Sequence, residues 1–148
     1  LTLSDDLAHL NTLFIDTAPI IYFIEAHPQF GPLVKQVVHS FQTENLTAFS
    51  SVVTLAEVYP KPIKTGDDAL AKKFAEFLKH GRNIRLIEIS ENIAERAGKL
   101  RGKYPDLKTI DALQIASALE ISADAFLTND KKLKQIKEIK VMVLKDYL

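Results

Sequence analysis

The chain has 148 residues, enough for one domain with a sizeable core, and its 47% hydrophobic and 26% charged residues are the balance of an ordinary globule. Lys plus Arg and Asp plus Glu number 19 each, so the formal net charge is zero, which excludes a nucleic-acid partner captured through overall basicity. There is no cysteine, which excludes a disulfide framework and a thiolate zinc site and fits a reducing compartment.

No apolar stretch approaches the roughly 20 residues needed to span a bilayer. The first residues do not pair a basic region with a cleavable apolar core, so no secretory signal is read there and a cytoplasmic location is expected. Lys61/Lys64, Lys72/Lys73, Arg101/Lys103 and Lys131/Lys132/Lys134 form local basic clusters, which read as solvated helix faces.

In chain order, Thr12 to Asp16 reads as a short buried strand, and Pro19 opens a helix through about Ala26. Phe30, Leu33, Val34, Val37, Val38 and Phe41 recur at helical spacing and mark an amphipathic helix. Leu46 to Phe49 is a second strand. Ser50 and Ser51 cap a helix carrying Glu57, which Pro60 and Pro62 are expected to end. Asp67 or Asp68 caps the next helix, with Leu70, Ala71, Phe74, Phe77 and Leu78 on its inner face and Gly81 as its stop. Ile84 to Ile89 is a third strand, and Ser90 caps a helix that buries Ile93, Ala94, Ala97, Leu100 and Tyr104. After Pro105 a helix runs from about Lys108 to Glu120, apolar nearly all round and alanine-rich, so it should pack centrally. Ala125 to Thr128 is a fourth strand, Asp130 to Ile136 a short helix and Ile139 to Leu144 a fifth strand.

Strands alternating with helices imply crossover connections. The expected fold is α/β, a single domain over residues 1–148 with a central parallel sheet of about five strands and helices on both faces. No internal repeat, low-complexity segment or linker is apparent.

Four carboxylates stand in apolar surroundings. Asp16 ends Leu13-Phe14-Ile15, Glu57 follows Val52-Val53-Thr54-Leu55-Ala56, Asp111 lies within Ile110 to Ala116, and Asp130 follows Ala125 to Asn129. Acids are rarely buried unless paired or holding a metal. In an open parallel sheet, ligands bind beyond the carboxyl ends of the strands. Asp16 and Asp130 share that crevice if the first and fourth strands are neighbours, and adjacent helices can bring Glu57 and Asp111 to it. Hard cations such as Mg²⁺ and Mn²⁺ prefer such oxygen ligands. The reaction class this suggests is metal-assisted hydrolysis of a phosphodiester.

Each acid also has a local reason to be where it is. Asp16 can cap the following helix, and Asn129 or Asp130 the last short one. Thr54 to Glu57 matches a capping box, and Asp111 suits a helix N-terminus. His9, His27, His39 and His80 show no ligand spacing and read as surface or edge residues, and Glu25 as a surface or supporting acid. No G-x-S-x-G, phosphate-cradling glycine loop or H-E-x-x-H is present.

Phe14-Ile15-Asp16-Thr17, Ser51 to Glu57, Thr109 to Ala116 and Phe126 to Asp130 together resemble the four acidic motifs of PIN domains, the VapC-like toxin subgroup most of all, over about Leu13 to Leu144. The resemblance implies a Mg²⁺- or Mn²⁺-dependent endoribonuclease, the toxin of a type II toxin–antitoxin pair, acting on RNA, forming a homodimer and inhibited by an antitoxin. It implies that Asp16 and Asp111 are the principal metal ligands, with Glu57 and Asp130 completing the catalytic quartet. Thr128 matches the small hydroxyl residue often found two before the last acid, and Thr17 and Asn129 are expected to support the acids they adjoin. Many members carry Asn two residues after the first acid; this chain has Ala18, then Pro19.

The alternative is a weakly catalytic or non-catalytic module that works through antitoxin and operator-DNA binding. A phosphoacceptor receiver domain fits poorly, because Asp5 and Asp6 precede the first strand. A haloacid-dehalogenase-like phosphatase needs D-x-D, which Asp16-Thr17-Ala18 does not supply.

Overall fold

The computed structural model describes residues 2–148. Five strands, β1 (Thr12–Ile15), β2 (Thr47–Ser51), β3 (Ile84–Ile87), β4 (Ala125–Thr128) and β5 (Lys140–Val143), form one parallel sheet in the order β3-β2-β1-β4-β5. The α/β class and the five-stranded parallel sheet are those expected from the sequence.

β1 is central, and Leu13, Phe14 and Ile15 are fully buried, as a strand covered on both faces requires. Leu13 and Ile15 enter one apolar layer with α2 (Thr17–Ile24), α3 (Gly31–Thr43) and α6 (Asp68–His80). Phe14 enters the opposite layer with α7 (Glu91–Lys103) and α8 (Thr109–Glu120), where it stacks on Phe126 at 5.4 Å between ring centroids. The two layers therefore read out the strand period of two.

Strand order sets the site. The chain leaves β1 towards β2 on one side and leaves β4 towards β5 on the other. The carboxyl ends of β1 and β4, paired in register from Leu13–Ala125 to Ile15–Leu127, thus form the switch point of the sheet.

Several boundaries differ from the sequence reading. A short helix α1 (Leu3–Ala8) precedes β1, opened by a reciprocal Thr2–Asp5 capping box; six residues are too few for a helical repeat to register. Asp16 is the N-cap of α2, which starts at Thr17, so Pro19 falls within its first turn. Ser50 belongs to β2 and only Ser51 caps α4 (Val52–Val58), its hydroxyl accepting from Val53 N at 3.2 Å. Because Ser51 is the cap, Thr54 and Glu57 do not form the capping box their spacing suggests. α4 ends at Val58, just before Pro60, as expected from the prolines, but Pro60 and Pro62 also open a further short helix, α5 (Pro60–Thr65), where their missing N–H groups cost nothing. The segment after β4 is a 3-10 turn, Lys131–Gln135.

Gly81 closes α6 with extended backbone, so its need for glycine is one of space: a Cβ there would stand 2.3 Å from the Phe77 carbonyl oxygen. Among the described residues, no helix is long and apolar enough to cross a membrane.

Candidate functional site

Asp16 sits where β1 turns into α2. Its Oδ1 accepts from the Thr17 backbone N–H at 2.9 Å, and its Oδ2 accepts from the Thr128 hydroxyl at 2.8 Å, so the end of β4 holds the acid at the end of β1. Thr128 also accepts from Asp130 N at 3.1 Å. Burial pushes the Asp16 carboxyl up to about 6, against the opposing pull of the Thr128 and Thr17 hydrogen bonds, and the Asp111 and Glu57 carboxylates push it further.

Asp111 lies in the first turn of α8, and no hydrogen bond or ion pair engages its carboxylate among the described residues. It is also raised, first by burial and then by the Asp130 and Glu57 carboxylates, with Lys108 pulling the other way. Asp111 therefore feels Asp16, Glu57 and Asp130 together. Residues from β1, α4, α8 and the end of β4 meet at one edge of the sheet, from positions up to 114 apart in sequence (130 minus 16).

Asp111 and Asp130 line a concave pocket of about 540 Å³, together with Lys108, Lys132 and the apolar Leu107 and Leu133. Asp130 is exposed and caps the 3-10 turn, its Oδ1 accepting from Lys132 N at 3.0 Å. Both local capping readings, for Asp16 and Asp130, are thus also true; capping leaves further lone pairs on each carboxylate. Glu57 is exposed, and its Oε1 accepts a 2.6 Å hydrogen bond from the buried Thr17 hydroxyl.

The acids are neighbours without being a finished cage. Among the described residues no group of three or more His, Asp or Glu already surrounds a point suited to a metal ion. Closing four like charges to ligand distance requires a cation to offset their repulsion. The donor set is nonetheless all oxygen and carries unengaged carboxylate lone pairs, and two of its members are raised by burial and then by neighbouring carboxylates, which suits Mg²⁺ or Mn²⁺.

The other residues singled out from sequence fall differently. Asn129 faces away from the acids in its bonding: its amide donates to the Tyr22 hydroxyl at 3.3 Å and accepts from Lys145 N at 3.0 Å. Glu25 is the C-cap of α2 and pairs with Lys61 at 2.5 Å. His27 is a local turn residue whose Nδ1 accepts from Gln29 N and Phe30 N, each at 3.1 Å.

What sequence reasoning missed is the layer beneath the acids. Ser50, Ser51, Thr54 and Gln114 are buried and joined by side-chain hydrogen bonds to one another and to Thr17, the one member singled out from sequence. The available signal was Gln114, a long amide in the middle of an apolar helix, where only a satisfied polar group is tolerated.

The PIN domain profile matches residues 13–139. No curated protein matches the chain. Among solved structures, the chain is similar to VapBC2 from Rickettsia felis, solved bound to a DNA fragment from their promoter, with TM-score 0.70 and 20% identity over 89% of this chain and 98% of that one. It is similar to VapBC-1 from nontypeable Haemophilus influenzae, with TM-score 0.70 and 19% identity over 90% of this chain and 98% of that one. It is also similar to Mycobacterium tuberculosis VapC20, a sarcin–ricin loop cleaving toxin, with TM-score 0.65 and 14% identity over 86% of this chain and 98% of that one. At these identities the likeness is one of fold. With the profile spanning most of its length and the sheet order, switch point and acid edge described above, the chain belongs to the PIN domain family.

Proposed function

We propose that the chain is a single PIN-like domain acting as a Mg²⁺- or Mn²⁺-dependent endoribonuclease, the toxin of a toxin–antitoxin pair. The observation that supports this reading is the gathering of Asp16, Glu57, Asp111 and Asp130 beside the switch point of the sheet, where burial and the neighbouring carboxylates raise Asp16 and Asp111. Asp16, Asp111 and Asp130 are the residues that would hold the cation, with Glu57 beside them. A divalent cation there supplies neutralisation of phosphate charge and acidification of a water molecule.

The chain's own residues then divide the work. Thr17 fixes Oε1 of Glu57 at 2.6 Å and leaves Oε2 free to take the proton of the attacking water. The water oxygen bonds to phosphorus in line with the bond to the ribose 3′ oxygen. That bond breaks, and the 3′ oxygen takes a proton from solvent, leaving a 5′-phosphate and a 3′-hydroxyl. Lys108 and Lys132 line the pocket beside Asp111 and Asp130, where they suit the flanking phosphates. An antitoxin is a proposed protein partner, supported by the toxin–antitoxin complex among the similar structures; a second copy of the chain is proposed from the family resemblance alone.

The test is cleavage of structured RNA. Asp16→Asn should abolish product while the fold is retained, and EDTA should silence the wild type. Substantial activity in the variant, or activity indifferent to EDTA, contradicts the proposal. A second reading, a module that binds antitoxin and operator DNA with little hydrolysis, draws on the unfinished geometry of the acids. Absence of product at any Mg²⁺ or Mn²⁺ concentration, with tight antitoxin binding, would favour it.

A further inference from the structure

We propose that Gln114 is a positioning residue that orients a chain of buried hydroxyls so that the Thr17 proton always points at Glu57. This rests on the nuclease reading only for the role of Glu57; the hydrogen-bond accounting stands by itself. A hydroxyl has one donor and two acceptor sites, a neutral amide nitrogen two donors, and an ionised carboxylate none. Thr17 must therefore donate to Glu57 Oε1, at 2.6 Å. The 2.9 Å contact between the Thr17 and Thr54 hydroxyls must then be donated by Thr54. Ser50 donates to Thr54 at 3.0 Å. Gln114 Nε2 spends one N–H on Thr17, at 3.2 Å, and the other on Thr54, at 2.9 Å.

Every acceptor site on both threonines is then filled. No buried side-chain nitrogen or oxygen among the described residues lacks a partner. The amide orientation is fixed by the same accounting: the Thr17 and Thr54 protons are already committed, so the amide atom facing both must be the donating nitrogen, and its Oε1 is left to accept from Ser51 at 2.5 Å. All the hydroxyls point the same way, from Ser50 through Thr54 and Thr17 to Glu57. Without the two amide donors each threonine regains a free lone pair, and the Thr17 proton can turn to Thr54 instead. Glu57, which is exposed and has no other hydrogen bond among the described residues, would lose its only fixed contact. Gln114 stands three residues after Asp111, on the same face of α8, so one helix presents one acid and orients the clamp on another.

The test is a double-mutant cycle in the full chain between Gln114→Met, which keeps volume but removes the amide, and Thr17→Val, which removes the hydroxyl. The readouts are Mn²⁺ affinity by calorimetry and steady-state cleavage of RNA. Each single variant should weaken Mn²⁺ binding and lower kcat, the latter about tenfold for one hydrogen bond to a charged group, with KM for RNA unchanged. The double variant should be no worse than Thr17→Val, and Thr17→Ser should recover most of that loss. Should Gln114→Met fail to fold, Thr54→Val takes its place in the cycle with the same expected non-additivity.

Additive losses, or wild-type Mn²⁺ affinity and kcat in Gln114→Met, overturn the inference. A wild type that binds Mn²⁺ but cuts no RNA sinks the nuclease reading alone, and the calorimetric cycle still decides for or against Gln114. A wild type that takes up no Mn²⁺ overturns both.

Discussion

The acid edge and the hydroxyl–amide layer under it share Thr17 and lie on the same elements, yet they are opposites electrostatically. Beneath, every buried side-chain nitrogen and oxygen among the described residues has a partner, and the hydroxyl hydrogen bonds run in one direction towards Glu57. Above, Asp111 has no hydrogen-bond or ion-pair partner among the described residues, and Asp16 and Asp111 are raised by burial and by neighbouring carboxylates. Satisfied polar layers specify a unique arrangement, whereas like charges gathered without relief cost stability and are kept for chemistry. The contrast is what a site needs: a rigid base that holds reactive groups where they would not otherwise stay.

Four perturbations break or sharpen this contrast. The largest effect should come from Asp111→Asn, which removes the central member of the repulsive group; cleavage should fall to background, read by product formation on structured RNA, while circular dichroism stays that of the wild type. Glu57→Gln keeps shape but removes the proton acceptor, and should lower kcat by about a hundredfold or more.

Third is a stability effect of opposite sign. Burial holds Asp16 up to about 6 against the ordinary 3.8, so the native state keeps a proton that the unfolded chain releases. The resulting cost is absent below the unfolded value, grows as pH rises through about 4 to 6, and is constant above. Without metal, Asp16→Asn should therefore be more stable than wild type at pH 8, by about 3 kcal/mol in denaturant unfolding, and the gain should vanish below pH 4. Added Mn²⁺ should stabilise the wild type and not the variant. The smallest effect belongs to Lys132→Ala at the rim of the pocket, a several-fold rise in KM for RNA that shrinks at high salt.

Much of this was legible in the sequence, for identifiable reasons. β1 and β4 announce themselves because strands buried on both faces are continuous apolar runs, and an acid at the end of such a run stands out. That the two strands are neighbours follows from alternating elements only once a strand order is assumed, and the β1–β4 pairing supplies it. Thr54 and Gln114 did not stand out as partners of Thr17, because their contacts with it join residues 37 and 97 positions apart and no local pattern encodes them. Pro60 marks the end of α4 as read, but the short α5 that follows went unread for a different reason: proline ends one helix and opens another equally well, and the left-handed Gly66 at φ 69° marks where α5 stops.

The central claim is that Asp16, Glu57, Asp111 and Asp130 share one divalent cation site. Its most direct measurement is the anomalous scattering of manganese in a crystal grown with Mn²⁺. A peak within coordination distance of Asp16 and Asp111, with Glu57 or Asp130 reaching it directly or through water, is the expected result. Manganese bound elsewhere, or none at saturating concentration, would contradict it.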